Sequence, residues 1–222
     1  MKLGRRKVDN PATARRILAA AERHFAAQGM AGARTDEIAA DAHANKAMLY
    51  YYFGNKRRLH RAVLENLFRQ LSKVVYAPPA PDAPPRDRLR AWVNGYFDFL
   101  ATHPNYPRLV QREAMDATPK IEWIAREYFQ PFFKHLTGLI SDGISAGEFR
   151  EVDPGQTAFT MLGAAAFYFA SAPVMRQIVG HDLLAPHALE ARRLALLDFI
   201  EHGLHRTHPK RMLEDPSPAR SR

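Results

Sequence analysis

Three times in the first 200 residues a helix-capping side chain stands directly before a proline: Asn10-Pro11, Thr118-Pro119 and Asp153-Pro154. Proline has a fixed φ and no N–H, so it fits the first turn of a helix and interrupts the middle of a sheet. Between these starts the apolar residues recur at helical spacing. Ile17, Leu18, Ala21 and Phe25 do so over 11–28, with Gly29 placed as a C-cap. A short helix is predicted from Thr35 as N-cap through Ile38 and Ala39 to Ala42, and a second from Asn45 as N-cap to Phe53, closed by Gly54. Leu59, Val63, Leu67, Leu71 and Val74 mark a longer helix after Asn55. Further helices are expected over 86–102, about 108–116, 121–144 with a restart at Pro131, 154–172 and 187–206, with a proline-bracketed turn at 103–107. No stretch alternates with the period of a strand and no segment repeats. The fold class is all-α.

Pro78, Pro79, Pro81, Pro84 and Pro85 crowd one stretch and predict a stiff connector. The organisation read from this is an N-terminal arm and helix-turn-helix unit over 1–56, a connecting helix over 57–77, a proline-rich linker over 78–85, a helical body over 86–206 and a disordered tail over 207–222. Charge divides at the same places. Of the 32 Lys and Arg and 23 Asp and Glu, residues 1–61 hold 13 basic and five acidic groups, or +8 of the total +9. The middle of the chain is about −2 and residues 203–222 carry +3. A basic module therefore precedes a nearly neutral body, which favours a polyanionic partner at one end.

The absence of cysteine excludes disulfides, thiolate zinc sites and thiol nucleophiles. The charged start has no apolar run of an export signal, which implies a cytoplasmic protein. Ala158–Met175 just reaches membrane-spanning length, but its Gly and Ala content, Pro173 and the lack of basic flanks favour a buried or interface helix, with no membrane partner.

Thr35–Phe53 carries the strongest functional signal. Two short helices separated by about three residues, with Ile38, Ala39, Leu49 and Phe53 turned inward, form a helix-turn-helix pattern. Asn45, Lys46, Ala47 and Met48 stand where a recognition helix reaches base edges. Thr35, Tyr50, Tyr51 and Lys56 complete the expected DNA-binding set, the tyrosines and Lys56 suiting phosphate contact. The plain alternative is a small three-helix bundle with surface tyrosines, which leaves the +8 unexplained.

These residues resemble the TetR/AcrR regulators. The resemblance rests on FAAQGMAGART at the end of the first helix, then DEIA, then NKAMLYYYFGNKRRLHRAV, and covers about residues 11–75. Lys46, Leu49, Tyr50, Tyr52, Phe53 and Lys56 match the family's run, whereas Asn45, Ala47 and Met48 depart from it. His43 stands where the family commonly has a left-handed glycine, a substitution that costs about 1 kcal/mol. HPNYPRLVQREAM, at 103–115, also looks like a segment of one branch of these regulators.

The resemblance implies a homodimer reading two-fold symmetric double-stranded DNA, with the last two long helices of each copy forming a four-helix interface. Gly163, Ala164, Leu189, Leu196, Leu197 and Ile200 are the expected interface residues. It also implies a cavity for a small-molecule effector in the body, sought among Trp92, Tyr96, Tyr106, Leu109, Arg112, Trp123, Tyr128 and Phe167. Most of the aromatics in this region are expected to be plain core. Arg112 and Glu113 read either as anchors for a charged ligand group or, more plainly, as a surface salt bridge.

Two further patterns are set aside. Gly143-Ile-Ser145-Ala-Gly147 fits G-x-S-x-G but ends a helix, without the strand-to-helix elbow a nucleophilic serine needs. His202, His205 and His208 recur every third residue but run into Pro209, so no metal site is expected. The reading is a DNA-binding transcriptional regulator, in its simplest form a repressor, with no catalytic residues and no cofactor. The competing readings are a ligand-independent architectural DNA-binding protein and, further off, a helical hydrolase.

Overall fold

The computed structural model describes residues 11–77, 82–116 and 119–205, without the side chains between 116 and 121. The expected caps Asn10 and Thr118, the first half of the proline connector (78–81), His208 and the tail from Thr207 lie outside the described residues. The elements are α1 (Pro11–Gly32), α2 (Thr35–Asp41), α3 (Lys46–Phe53), α4 (Lys56–Val75), α5 (Pro85–Thr102), α6 (Tyr106–Asp116), α7 (Pro119–Ile124), α8 (Gln130–Ser145), α9 (Pro154–Val179) and α10 (Pro186–Leu204). No strand occurs among the described residues, only a single antiparallel bridge between Phe149 and His205.

Local chemistry sets most boundaries. Gly29 (φ 72°) breaks the regular helix of α1. The Asn45 carboxamide accepts from the Met48 N–H at the start of α3, Asn55 from Arg58 N at the start of α4, and Asp153 from Gln156 N at the start of α9. Gly54 (φ 76°) ends α3.

Three expectations change. Thr35 is the first helical residue of α2 and not its N-cap. Extended Arg34 precedes it with no side-chain cap, and the Thr35 hydroxyl turns instead to Tyr50. The stretch 121–144 is α7 and α8 joined by a π turn, Ala125–Phe129, in which the Gln130 N–H reaches back five residues to the Ala125 carbonyl. The wider turn lies directly before Pro131, whose ring would otherwise crowd the carbonyl four residues earlier. Finally, α9 runs past 172 and through Pro173 to Val179. A proline removes one hydrogen bond without preventing the next turn, and left-handed Gly180 makes the stop.

α1 packs chiefly on α4, α4 on α5, α5 on α8 and α8 on α9, with α10 closing against α5 and α9. Ile17, Ala21 and Phe25 of α1, Ile38 of α2, Leu49 of α3 and Leu59 of α4 are fully buried together in one continuous core. Each of these side chains larger than alanine contributes roughly 1.5–3 kcal/mol by leaving water. The apolar run along α4 continues through Leu64, Leu67, Phe68 and Leu71, so this helix belongs both to the three-helix unit and to the body.

His43 (φ 47°) is the one non-glycine residue with positive φ among the described residues, at the turn between α2 and α3. Its side chain is exposed, so strain and not lost packing governs substitution there. His43→Gly is expected to keep stability or raise it by up to ~1 kcal/mol, and His43→Val to lower it by ~1–2 kcal/mol. Urea unfolding midpoints measure both.

Candidate nucleic-acid interface and the body behind it

Leu49, fully buried, fixes the rotation of α3 and leaves Lys46, Ala47, Tyr50 and Tyr51 on its outer side. Tyr51 is 63% exposed, high for a tyrosine with no burial role. Met48 is half-buried. Two cross-links join α3 to the first turn of α2. Lys46 Nζ lies 2.8 Å from Asp36 Oδ1, and the Thr35 and Tyr50 hydroxyl oxygens are 3.3 Å apart. The hydrogen bond to Asp36, then the attraction to its charge, raises the Lys46 ammonium above its ordinary value; the same bond lowers Asp36. Both groups stand in water, so this pair orients more than it stabilises.

The expected DNA-binding residues separate by geometry. Thr35, Lys46, Ala47, Tyr50 and Tyr51 share one face. Asn45 Oδ1 is occupied as the cap of α3. Lys56 donates to the carbonyls of Ala31 (3.0 Å) and Ala33 (2.8 Å), so two of its three N–H groups hold the α1–α2 turn. Other cations of the basic module are also engaged in holding it together. Arg16 donates to the Ala42 carbonyl at 3.0 Å, and Arg23 pairs with Asp41 at 2.9 Å. Sequence reasoning passed over Arg34, Arg57 and Arg58, which are exposed around the same unit; clustering near a helix start was the available signal.

α6 ties this unit to the body. Arg112 donates to the Ala27 carbonyl near the end of α1 at 3.0 Å. Glu113 meets His60 of α4 at 3.2 Å, both buried, with the His60 ring edge-on to Phe25 at 4.8 Å. Arg112 and Glu113 are therefore not a surface salt bridge: adjacent residues on a helix point in different directions, here one to α1 and one to α4. Before α6, Asn105 donates to Glu22 Oε1 at 3.4 Å. Burial raises the Glu22 carboxyl above the ordinary carboxylate range, against the opposing pull of Asn105, His103 and Arg23.

In the body the expected pocket residues form two aromatic groups. Tyr106 and Tyr128 contact the ring of Phe68 at 5.7 and 4.4 Å, with Trp123 edge-on to Tyr128 at 5.5 Å. Trp92 and Tyr96 meet Phe132 at 5.2 and 5.6 Å. Phe68 and Phe132 are hubs that spacing alone did not single out. The Trp92 indole N–H is buried without a hydrogen-bond partner among the described residues, and burial lifts the Tyr96 and Tyr106 hydroxyls well above the ordinary tyrosine range. Leu109 is buried. Phe167 is not among these groups: at 64% exposure it faces outward from α9.

The expected dimer residues also divide. Gly163 is exposed, whereas Leu196, Leu197 and Ile200 are buried in the protomer's own core, with Ala164 and Leu189 packed against it. The outer surface of α9 and α10 instead carries Phe159, Phe167, Val174, Ile178, Leu194 and Phe199, all large and exposed. α9 is apolar nearly all round and α10 carries apolar residues on more than one face between its charges, so helical spacing does not say which face is inward. α9 is long and apolar enough to cross a membrane, with mean hydropathy 1.5.

A cleft of about 240 Å³ opens between α4, α6 and α7, lined by Arg57, Arg61, Leu64, Glu113, Trp123 and Ile124 among others. The G-x-S-x-G stretch has a packing explanation. A Cβ on Gly143 would lie 2.1 Å from the Phe149 ring, so glycine is needed for close approach, and Ser145 is the last residue of α8. No group of three or more potential metal ligands occurs among the described residues. His202 instead bonds back to the Asp198 carbonyl at 2.9 Å.

Comparison with known proteins gives two family matches. Residues 17–63 match bacterial regulatory proteins of the tetR family, and residues 85–200 match a tetracyclin repressor-like C-terminal domain. The chain is 33% identical over 172 residues to the HTH-type transcriptional repressor SCO4008 of Streptomyces coelicolor, covering 77% of this chain and 85% of that one. Among solved structures it resembles the transcriptional regulator SCO4942 of Streptomyces coelicolor (26% identity, TM-score 0.66, 86% of this chain and 98% of that one). It also resembles a tetR-family regulatory protein from Rhodococcus RHA1 (22% identity, TM-score 0.71, 87% and 97%).

The Glu22 carboxyl gives a test of the α1–α6 junction. Its folded form holds a proton more tightly than the unfolded chain does. Its contribution to stability therefore falls as pH rises from the ordinary carboxylate value through its raised folded value. Glu22→Gln keeps an acceptor for Asn105. It is expected to unfold at a higher temperature than the parent at neutral pH, with the gap shrinking as pH is lowered.

Proposed function

The chain belongs to the TetR family of bacterial regulatory proteins and is a DNA-binding transcriptional regulator, not an enzyme; from that premise we propose how its parts divide the work. The α3 face of Lys46, Ala47, Tyr50 and Tyr51 enters the major groove. Lys46 exchanges its exposed Asp36 partner for a base edge or phosphate, and Thr35 and Tyr50 contact the backbone. The observation that carries this reading is an outward, cross-linked α3 face set within a module of charge +8. Asn45 and Lys56 act chiefly as scaffold, shaping the start of α3 and the α1–α2 turn. Met48 lies at the edge of the contact. The described helices support the expected division into reader, connecting helix and body, with α4 beginning at Lys56.

Two copies join through α9 and α10 in a four-helix interface. The exposed apolar residues there support this, since a monomer rarely leaves so many large apolar side chains of two helices in water. The two α3 helices then address half-sites about 34–36 Å apart. The resemblance to a named repressor supports repression as the mode, and the cytoplasm as the place where a soluble regulator meets its DNA.

A small molecule bound in the body shifts α4 and α6, and so the spacing of the two reading helices. The unpartnered Trp92 N–H beside Tyr96 supports a polar ligand group there. α6, bonded to both α1 and α4, provides the mechanical link. The coupling typical of such two-site systems is ~1–3 kcal/mol, a 5–150-fold change in affinity.

With an operator selected from random DNA, the Lys46→Ala, Tyr50→Ala double variant is expected to bind more than ~10-fold more weakly with an unchanged unfolding midpoint. Parent-like affinity would remove α3 as the reader. The Phe167→Glu, Ile178→Glu double variant is expected to sediment as a folded monomer at concentrations where the parent is a dimer.

A further inference from the structure

We propose that the cleft between α4, α6 and α7 binds an organic anion with an apolar body, and that the anion weakens DNA binding by engaging arginines on the first turns of α4, directly behind the reader. The site stands on its own geometry, and the coupling rests on the DNA-binding reading above.

The interior of the cleft is mostly apolar, with His60 and Glu113 paired to each other in its wall. Leu64 and Ile124 are buried, and Trp123 offers a half-buried indole face. Arg57, Arg58 and Arg61 stand at the rim on the first turns of α4, exposed. Their aliphatic stems add to the wall while their charged ends stay in water. Residues 57 and 61, and 58 and 61, are neighbours on a helix surface, and all three side chains line the one cleft. Arg61 lies 4.2 Å over the Trp123 ring and is held by Glu65 at 2.8 Å. Arg57 and Arg58 have no ion pair among the described residues. The carboxylates nearby are engaged: Glu65 faces Arg61 and Glu113 faces His60.

An apolar recess with a guanidinium rim selects by chemistry. A cation meets like charge, and a neutral apolar molecule gains nothing at the mouth. A carboxylate matches the planar guanidinium fork, and its aromatic or aliphatic body meets Trp123, Leu64 and Ile124. The position of the site makes the charge consequential. Only two residues separate α3 from α4, and Arg58 Nη1 approaches the first of them, 3.2 Å from where a Gly54 Cβ would stand. An anion on Arg57 and Arg58 cancels positive charge directly behind the recognition helix and draws Arg58 from the turn that positions it. DNA phosphates and the ligand then compete for the same field.

The test uses the full chain and two matched pairs of probes: 1-naphthoate against 1-naphthamide, and decanoate against decanamide below its micellar range. In calorimetric titration without DNA, the acids are expected to bind at least ~10-fold more tightly than their amides, the factor a charge-assisted pair contributes. The Arg57→Met, Arg61→Met double variant is expected to lose that preference while keeping amide binding, and Trp123→Leu to weaken both, with circular dichroism reporting the fold. Equal binding of acid and amide, or no binding by either in the millimolar range, overturns the site. On the selected operator, the acids are expected to lower DNA affinity by ~5–150-fold. Acid binding that leaves DNA affinity unchanged overturns the coupling, whereas failure of the DNA-binding reading appears separately in the Lys46 and Tyr50 variant.

Discussion

One helix, α4, sits in two cores at once. Leu59 and Val63 close the three-helix unit against Ile17, Ile38 and Leu49, while Leu67, Phe68 and Leu71 carry the same apolar run into the body. Interiors pack near crystal density, so a helix held at both ends transmits displacement instead of absorbing it. The rest of the arrangement depends on this. The recognition helix α3 is connected to α4 through two residues, and α6 reaches α4 through the buried contact of Glu113 with His60. A change in how the body packs on α4 or α6 has little compliant material between it and α3.

Charge works differently from packing in this molecule. Several of the thirteen basic groups in residues 1–61 hold the module together: Arg16 on the Ala42 carbonyl, Arg23 on Asp41 and Lys56 on two carbonyls of the α1–α2 turn. The net charge of that region is therefore not a count of groups available to a partner. Among the described residues, Arg34, Lys46, Arg57 and Arg58 are exposed around α3 or just behind it. In water their attraction for one another's counterparts is weak, and exposed pairs such as Lys46 with Asp36 reorganise readily. A reader needs that property, because its side chains must exchange internal partners for those on DNA.

The helix-turn-helix was legible in the sequence because its determinants are local. Asn45 and Asn55 cap the helices that follow them, Gly29 and Gly54 take the positive φ expected of helix breaks, and His43 occupies the left-handed position inferred for it. Each depends on a few neighbouring residues and backbone sterics. Where the reading needed one helix's relation to another, it lost resolution. Thr35 is helical and directed to Tyr50 because α3 crosses there. Arg112 and Glu113 part company because α1 and α4 lie on different sides of α6. The hubs Phe68 and Phe132 become evident only once four helices surround them.

The apolar final helices mark the boundary most clearly. Helix starts and the spacing of apolar residues determined that α9 and α10 would be helical and would pack against neighbours. They did not determine that Leu196, Leu197 and Ile200 face the protomer's core while Phe159, Phe167, Ile178 and Phe199 face outward. Helical period, capping and charge are properties of a chain and its nearest neighbours, and the sequence carries them openly. The direction of a face, the partner of a buried group and the opening of a cleft depend on where other helices lie, and only the tertiary structure decides those.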